Sequence, residues 1–122
     1  MPPRDPSYDA ECLFCRIAAD EIPSDRVIED DDVVVFRDIN PRAPTHLLAI
    51  SRRHLASADD LTDAEADRDL LAALFSSLRR VAAEAGLRGY RIVTNVGPES
   101  GQSVLHLHIH LLGGRPMSWP PG

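Results

Sequence analysis

The stretch "VLHLHIHLLGG", residues 104–114, decides how this chain is read. Side chains alternate along a strand, so His106, His108 and His110 would share one face with Val104 and Leu112. Leu105, Leu107, Ile109 and Leu111 would take the opposite face and pack on a helix. The imidazoles would line about 13 Å of strand, at a rise of ~3.3 Å per residue. Three readings of that face stay open on the residues alone. The first is a plain solvated face, although such faces usually draw Thr, Lys, Glu or Arg, and three of the five histidines of the chain fall within five residues. The second is a metal site, because imidazoles at i, i+2 can converge on one ion. The third is nucleophilic catalysis at phosphorus, with one imidazole attacking and its neighbours orienting it.

The rest of the chain supplies a sheet around that strand. "DRVIEDDDVVVFRDI" (25–39) reads as a hairpin, with the acidic cluster Glu29 to Asp32 at its turn and Val33 to Phe36 as a buried strand. "NPRAP" (40–44) is a loop and "THLLAIS" (45–51) a third strand. "GYRIVTNVG" (89–97) is a fourth, joined through "PESGQS" to the histidine strand, the fifth. "LTDAEADRDLLAALFSSLRRVAAEAGL" (61–87) is the clearest helix. Thr62 and Glu65 have capping-box spacing. Leu70, Leu71, Leu74, Phe75, Leu78, Val81 and Ala82 form its apolar face, and Gly86 suits the C′ position. "ECLFCRIAADEIP" (11–23) gives a short helix ended before Pro23. The expected class is therefore α+β: a five-stranded, mostly antiparallel sheet with one long and one short helix.

With 122 residues there is room for one domain, over 11–122, behind a polar, Pro-rich tail at 1–10 that is expected to be flexible. A net charge of −6 argues against nucleic acid, whose binding needs a basic footprint. No apolar run reaches the roughly 20 residues that span a bilayer, so no membrane partner is expected. The N-terminus lacks the apolar core of a secretory signal. The cytoplasm is the expected location, and Cys12 and Cys15 should be reduced there. Their C-x-x-C spacing reads as zinc or redox chemistry, or as two small buried thiols. No βαβ context follows to favour a thioredoxin-like site.

H-x-H-x-H followed by two apolar residues is the mark of the histidine triad (HIT) family. "EIPSDRVIEDDDVVVFRDINPRAPTHLLAISRRH" (21–54) resembles that family's central region, and "GYRIVTNVGPESGQSVLHLHIHLLGGRPMSWPPG" (89–122) resembles its Hint branch. The resemblance spans roughly residues 11–122. It implies a purine nucleotide-binding hydrolase that cleaves the P–N bond of nucleoside 5′-phosphoramidates through a nucleotidyl-histidine and releases a nucleoside monophosphate such as AMP. It also implies a homodimer with a shared sheet.

Residue by residue, the resemblance makes His108 the nucleophile and His110 the contact to the α-phosphate. His46 supports the triad from the neighbouring strand, and Ser103 contacts the phosphate and relays a proton to the leaving group. Asn95, Gly101 and Gln102 would lie at the phosphate. Phe14, Ile17, Phe36 and Ile39 would wall the nucleoside, and Asp38 would hold the ribose hydroxyls. Trp119 would reach across the dimer towards the partner's site. No cofactor is implied for catalysis. Cys12, Cys15, His54 and His106 stand where some bacterial relatives hold a structural zinc; animal members lack these cysteines, so zinc is optional to the family. Arg37 and Ser118 stand where the branch has histidines, and Asn40 where it has a serine; these positions bear on substrate preference. Two alternatives accompany this reading. One is cleavage of dinucleoside polyphosphates, typical of a branch with Gln where this chain has His110. The other is a nucleotide-binding interaction module with incidental catalysis.

Overall fold

The structure, a computed structural model, describes residues 4–122. Its element order is α1 (Leu13–Ala18), β1 (Arg26–Glu29), β2 (Val33–Arg37), β3 (Thr45–Ser51), α2 (Glu65–Glu84), β4 (Tyr90–Val93) and β5 (His108–Gly113). The five strands form one sheet in the order β1-β2-β3-β5-β4, with every neighbouring pair antiparallel. The α+β class and the strand count match the sequence reading. No helix among the described residues is long and apolar enough to cross a membrane.

Period-2 alternation divides the sheet into two faces. Val33, Val35, Leu47, Ala49, Leu107, Ile109 and Leu111 pack on Leu70, Leu74, Leu78, Val81 and Ala82 of α2. Val34, Phe36, Leu48 and Ile50 point the other way and meet Cys12, Phe14, Cys15, Ile17 and Ala18 on and around α1. The β1–β2 turn closes on Asp30, whose Oδ1 accepts from the backbone N–H groups of Asp32 and Val33, both at 2.8 Å. That local bonding explains why the acidic cluster reads as a turn.

Four details differ from the sequence reading. First, β5 begins at His108, not Val104. The Leu107 N–H leaves the ladder for the Leu55 carbonyl (2.7 Å), and Leu105 is turned out to solvent. Second, β4 ends at Val93; Thr94 Oγ1 donates to the His108 carbonyl (2.8 Å) as the chain turns into the Pro98–Ser100 3₁₀ turn. Third, no Thr62–Glu65 capping box forms: Ala64 is the N-cap of α2 and makes no side-chain cap bond. Asp67, buried in the first turn, instead accepts from Thr62 N (2.8 Å) and Thr62 Oγ1 (2.7 Å) and binds Arg53. Fourth, Leu71 and Phe75 are 40% and 41% exposed, so the buried stripe of α2 is narrower than the apolar pattern. Gly86 does take the C′ position with φ +68°, and Leu87 N to Ala82 O and Gly86 N to Ala83 O complete a Schellman cap.

From residue 4 on, the expected tail is tied to the domain. Ser7 Oγ accepts from the His54 N–H (2.7 Å), and Tyr8 packs beside the α1 cluster with its hydroxyl on Glu21. The part of that expectation covering residues 1–3 lies outside the described residues.

Candidate active site and metal centre

Pairing between β3 and β5 places Ile50 opposite His108, Leu48 opposite His110 and His46 opposite Leu112. All these side chains rise on the α1 face of the sheet. His108 is 6% exposed, with its ring 5.0 Å from Phe14 and 5.2 Å from His110, centroid to centroid. His46 is equally buried, and its Nε2 lies 2.9 Å from His110 Nδ1 and 3.4 Å from Asp38 Oδ2.

The hydrogen-bond partners fix which ring nitrogen carries the proton, because several of them can play only one role. The Arg42 backbone N–H donates to His46 Nδ1 (3.0 Å), so His46 bears its proton on Nε2. That N–H donates to His110 Nδ1, which leaves His110 with Nε2–H as a donor. The His106 carbonyl can only accept, so His108 donates to it through Nδ1–H (2.6 Å) and keeps a bare lone pair on Nε2. Burial pushes the imidazoles of His46 and His108 below the usual value and lowers that of His110 to about 4. All three are neutral at pH 7. The row thus ends in one nucleophilic nitrogen and one N–H donor. Asp38, His46 and His110 could also gather around a cation. For His46 to ligate through Nε2 its proton would have to move to Nδ1, against the Arg42 N–H. This wiring favours proton handling over ligation there.

The second cluster lies at the other end of the row. His106, fully buried, donates Nε2–H to the Ser51 carbonyl (2.6 Å), which leaves Nδ1 as a lone pair. That nitrogen lies 3.2 Å from Cys12 Sγ, 3.6 Å from Cys15 Sγ and 3.2 Å from His54 Nδ1; Cys15 Sγ to His54 Nδ1 is 3.3 Å. Zinc bonds of ~2.3 Å to sulfur and ~2.0 Å to nitrogen put tetrahedral donors about 3.3–3.8 Å apart. The four side chains therefore fit a Cys₂His₂ zinc. Burial pushes the Cys15 thiol up to about 12, so a metal would displace its proton.

The remaining sequence-selected residues divide. Phe14 and Phe36 meet edge to face at 5.7 Å and, with Ile17, form a buried cluster beside His108. Asn95 is half-buried, while Gly101 and Ser103 are exposed on the loop before β5. Gly101 takes φ +93°, a conformation that L side chains rarely adopt. Ser103 makes no hydrogen bond to the three histidines among the described residues and lines a surface cleft with Cys12, Leu13 and His54. The amide of Gln102 is taken up by the loop: Oε1 accepts from Gly97 N, and Nε2 donates to the Ala56 and Val104 carbonyls. Ile39 (91% exposed) and Trp119 (82% exposed) are turned to solvent; the Arg91 guanidinium lies 6.0 Å from the indole. Of the departures, Arg37 pairs with Asp25 (3.1 Å), the Asn40 N–H caps Asp38 Oδ1 (2.8 Å), and the Ser118 carbonyl accepts from Arg91. Sequence reasoning missed Ser51 and Arg42, which act through main-chain groups and so leave no side-chain signal.

Residues 19–117 match the HIT domain. The chain is 50% identical to the HIT family hydrolase of Legionella pneumophila Philadelphia 1, whose crystal structure superposes with a TM-score of 0.88 over 92% of this chain and 100% of that one. It is 48% identical over 119 residues to a 14 kDa zinc-binding protein of Zea mays, covering 93% of this chain and 90% of that protein. It is 44% identical over 115 residues to the adenylylsulfatase HINT1 of Arabidopsis thaliana, covering 93% and 78%. The chain belongs to the HIT domain family.

Proposed function

We propose that this protein is a nucleotide-binding hydrolase that cleaves nucleoside 5′-phosphoramidates through a nucleotidyl group on His108. The observation that carries this reading is the fixed wiring of the row. The His106 carbonyl holds His108 Nδ1–H, and Nε2 is left bare. In the first step the Nε2 lone pair attacks the α-phosphorus. The P–N bond to the amine breaks with its electron pair on nitrogen, and the amine takes the Ser103 hydroxyl proton, which solvent water replaces. In the second step water attacks phosphorus, the Nε2–P bond breaks, and the water proton leaves through His108. The two displacements replace one harder one. His110 Nε2–H supplies a preorganised donor for the charge on the phosphoryl oxygens, backed by His46.

In this reading Asn95, Gly101 and Gln102 frame the phosphate; Gln102 does so by holding the loop. Phe14, Ile17, Phe36 and Ile39 wall the base, and Asp38 binds the ribose. Two exposed apolar features, Trp119 and the Leu71/Phe75 pair of α2, support a homodimer in which Trp119 completes the partner's site. The Cys12, Cys15, His54 and His106 donors would hold a zinc that ties α1 to the sheet and takes no part in bond breaking; the name of the maize relative supports this.

A second substrate class, the adenylyl sulfates, is favoured by the Arabidopsis relative. The same attack on α-phosphorus would expel sulfate in place of an amine. Steady-state kinetics with an adenosine phosphoramidate, adenylyl sulfate and a diadenosine polyphosphate separate the options. The expected order of kcat/KM puts the phosphoramidate first and the polyphosphate last. Nucleotide binding with no turnover of any of the three would leave only the interaction module.

A further inference from the structure

We propose that the Cys12–Cys15–His54–His106 cluster is a positioning device for the nucleophile, because it holds both groups that fix the His108 ring: the main chain of His106 and the ring of Phe14. The inference rests on the zinc reading of that cluster and extends it from folding to catalysis.

Two routes run from the cluster to His108. The first is the main chain. His106 Nδ1 faces the two sulfurs and His54, while Nε2–H is fixed on the Ser51 carbonyl. A ring held at both nitrogens anchors its own backbone. The His106 carbonyl is the acceptor for His108 Nδ1–H at 2.6 Å. This carbonyl lies in the segment that has left the β-ladder, since β5 begins only at His108. No sheet pairing therefore holds His106; its peptide is held by the Leu107 N–H on the Leu55 carbonyl (2.7 Å) and by its own side chain. The second route is α1. Its six residues are too few to form a stable helix alone. Cys12 and Cys15 bracket Leu13 and Phe14, and the Phe14 ring stands edge to face with both His106 (5.9 Å) and His108 (5.0 Å). Cys12 Sγ also caps α1 by accepting from the Cys15 N–H (3.4 Å). With the sulfurs and His54 held on one ion, α1 and the 106 segment form one body around the nucleophile. Without it, the carbonyl and the phenyl ring can drift, and His108 can exchange its proton between Nδ1 and Nε2. A ring protonated on Nε2 has its lone pair on Nδ1, which faces the His106 carbonyl and not the phosphorus.

Cys12, Cys15 and His54 are positioning residues in this scheme, and the spectroscopic state of His108 reports on them. The test compares histidine-ring ¹⁵N spectra of zinc-loaded, chelator-stripped and His54→Ala protein without substrate, together with the single-turnover rate of nucleotidylation. Zinc content and circular dichroism are read on each sample. Loaded protein is expected to show His108 as one tautomer with Nδ1 protonated. Stripped protein should show both tautomers and a rate lower by at least about tenfold, restored by zinc. His54→Ala, which keeps three donors, should fall between and decides the matter if stripping unfolds the chain. An unchanged His108 spectrum and rate in folded protein lacking zinc, or in His54→Ala, would overturn the inference and leave zinc as a fold clamp. Protein that takes up no zinc at all would overturn the zinc reading and this inference with it.

Discussion

His46 is gripped between the Arg42 amide and His110, and that grip sets the proton on the far side of His110. Replacing His46 with Ala frees His110 to carry its proton on Nδ1, turned away from where the proposal places the phosphate. Turnover should fall by roughly 100-fold while the fold persists, as steady-state kinetics and circular dichroism would show. Acid stability is also decided by single residues. Burial first, then the neighbouring His108 and His46, holds His110 at about 4 in the folded protein. The unfolded chain takes that proton near ~6.5, so stability falls as pH drops from there towards about 4. Asp67, bonded by Thr62 and Arg53, is held at about 2. Its contribution is complete above the unfolded value of ~3.9 and is lost as pH falls through about 2. Urea midpoints should decline steadily between pH 7 and pH 3. Asp67→Asn should flatten the lower part of that curve and His110→Gln the upper part.

At the scale of elements, the sheet was legible from the continuous apolar runs of β2 and β3 and the alternation of the histidine strand; Val33, Val35, Leu47, Ala49, Ile109 and Leu111 all face α2. The Schellman end of α2 was legible from Gly86. Its start was not, because Ala64 is the N-cap with no side-chain cap bond, and Thr62 is instead tied back to Asp67, five residues on, which also binds the distant Arg53. The start of β5 was hidden for a similar reason: the alternation runs on past the point where Leu107 changes partners to Leu55. Leu78 is fully buried at the centre of the α2–sheet contact. Leu78→Ala should cost about 2–5 kcal/mol in chemical denaturation. Phe75→Ala on the exposed face should change fold stability little; on the homodimer proposal it should weaken self-association, read by sedimentation.

On the scale of the whole molecule, two clusters sit at opposite ends of one row of imidazoles, and His106 belongs to the Cys/His donor cluster while His108 and His110 belong to the other. The motif alone left three readings of the row open. The resemblance chose among them and already gave His106 to both the row and the cysteines; the fold adds that the donor atoms of residues 12, 15, 54 and 106 lie together. The roles of Ile39, Ser103 and Trp119 stay with the proposal, since Ile39 and Trp119 are turned to solvent and Ser103 bonds none of the three histidines among the described residues. On the proposed zinc reading, loading the cluster with zinc should raise the melting temperature, because the ion would tie α1 to the sheet; metal analysis with thermal denaturation checks this.

The central claim is that His108 carries the nucleotidyl group. The most direct test is an intact-mass time course of wild type and His108→Ala mixed with an adenosine phosphoramidate. A transient gain of one nucleotidyl mass in the wild type, absent together with turnover in His108→Ala, is the predicted result. Turnover that survives in His108→Ala would contradict it, and the row would then have to be read as a binding surface or a set of metal ligands.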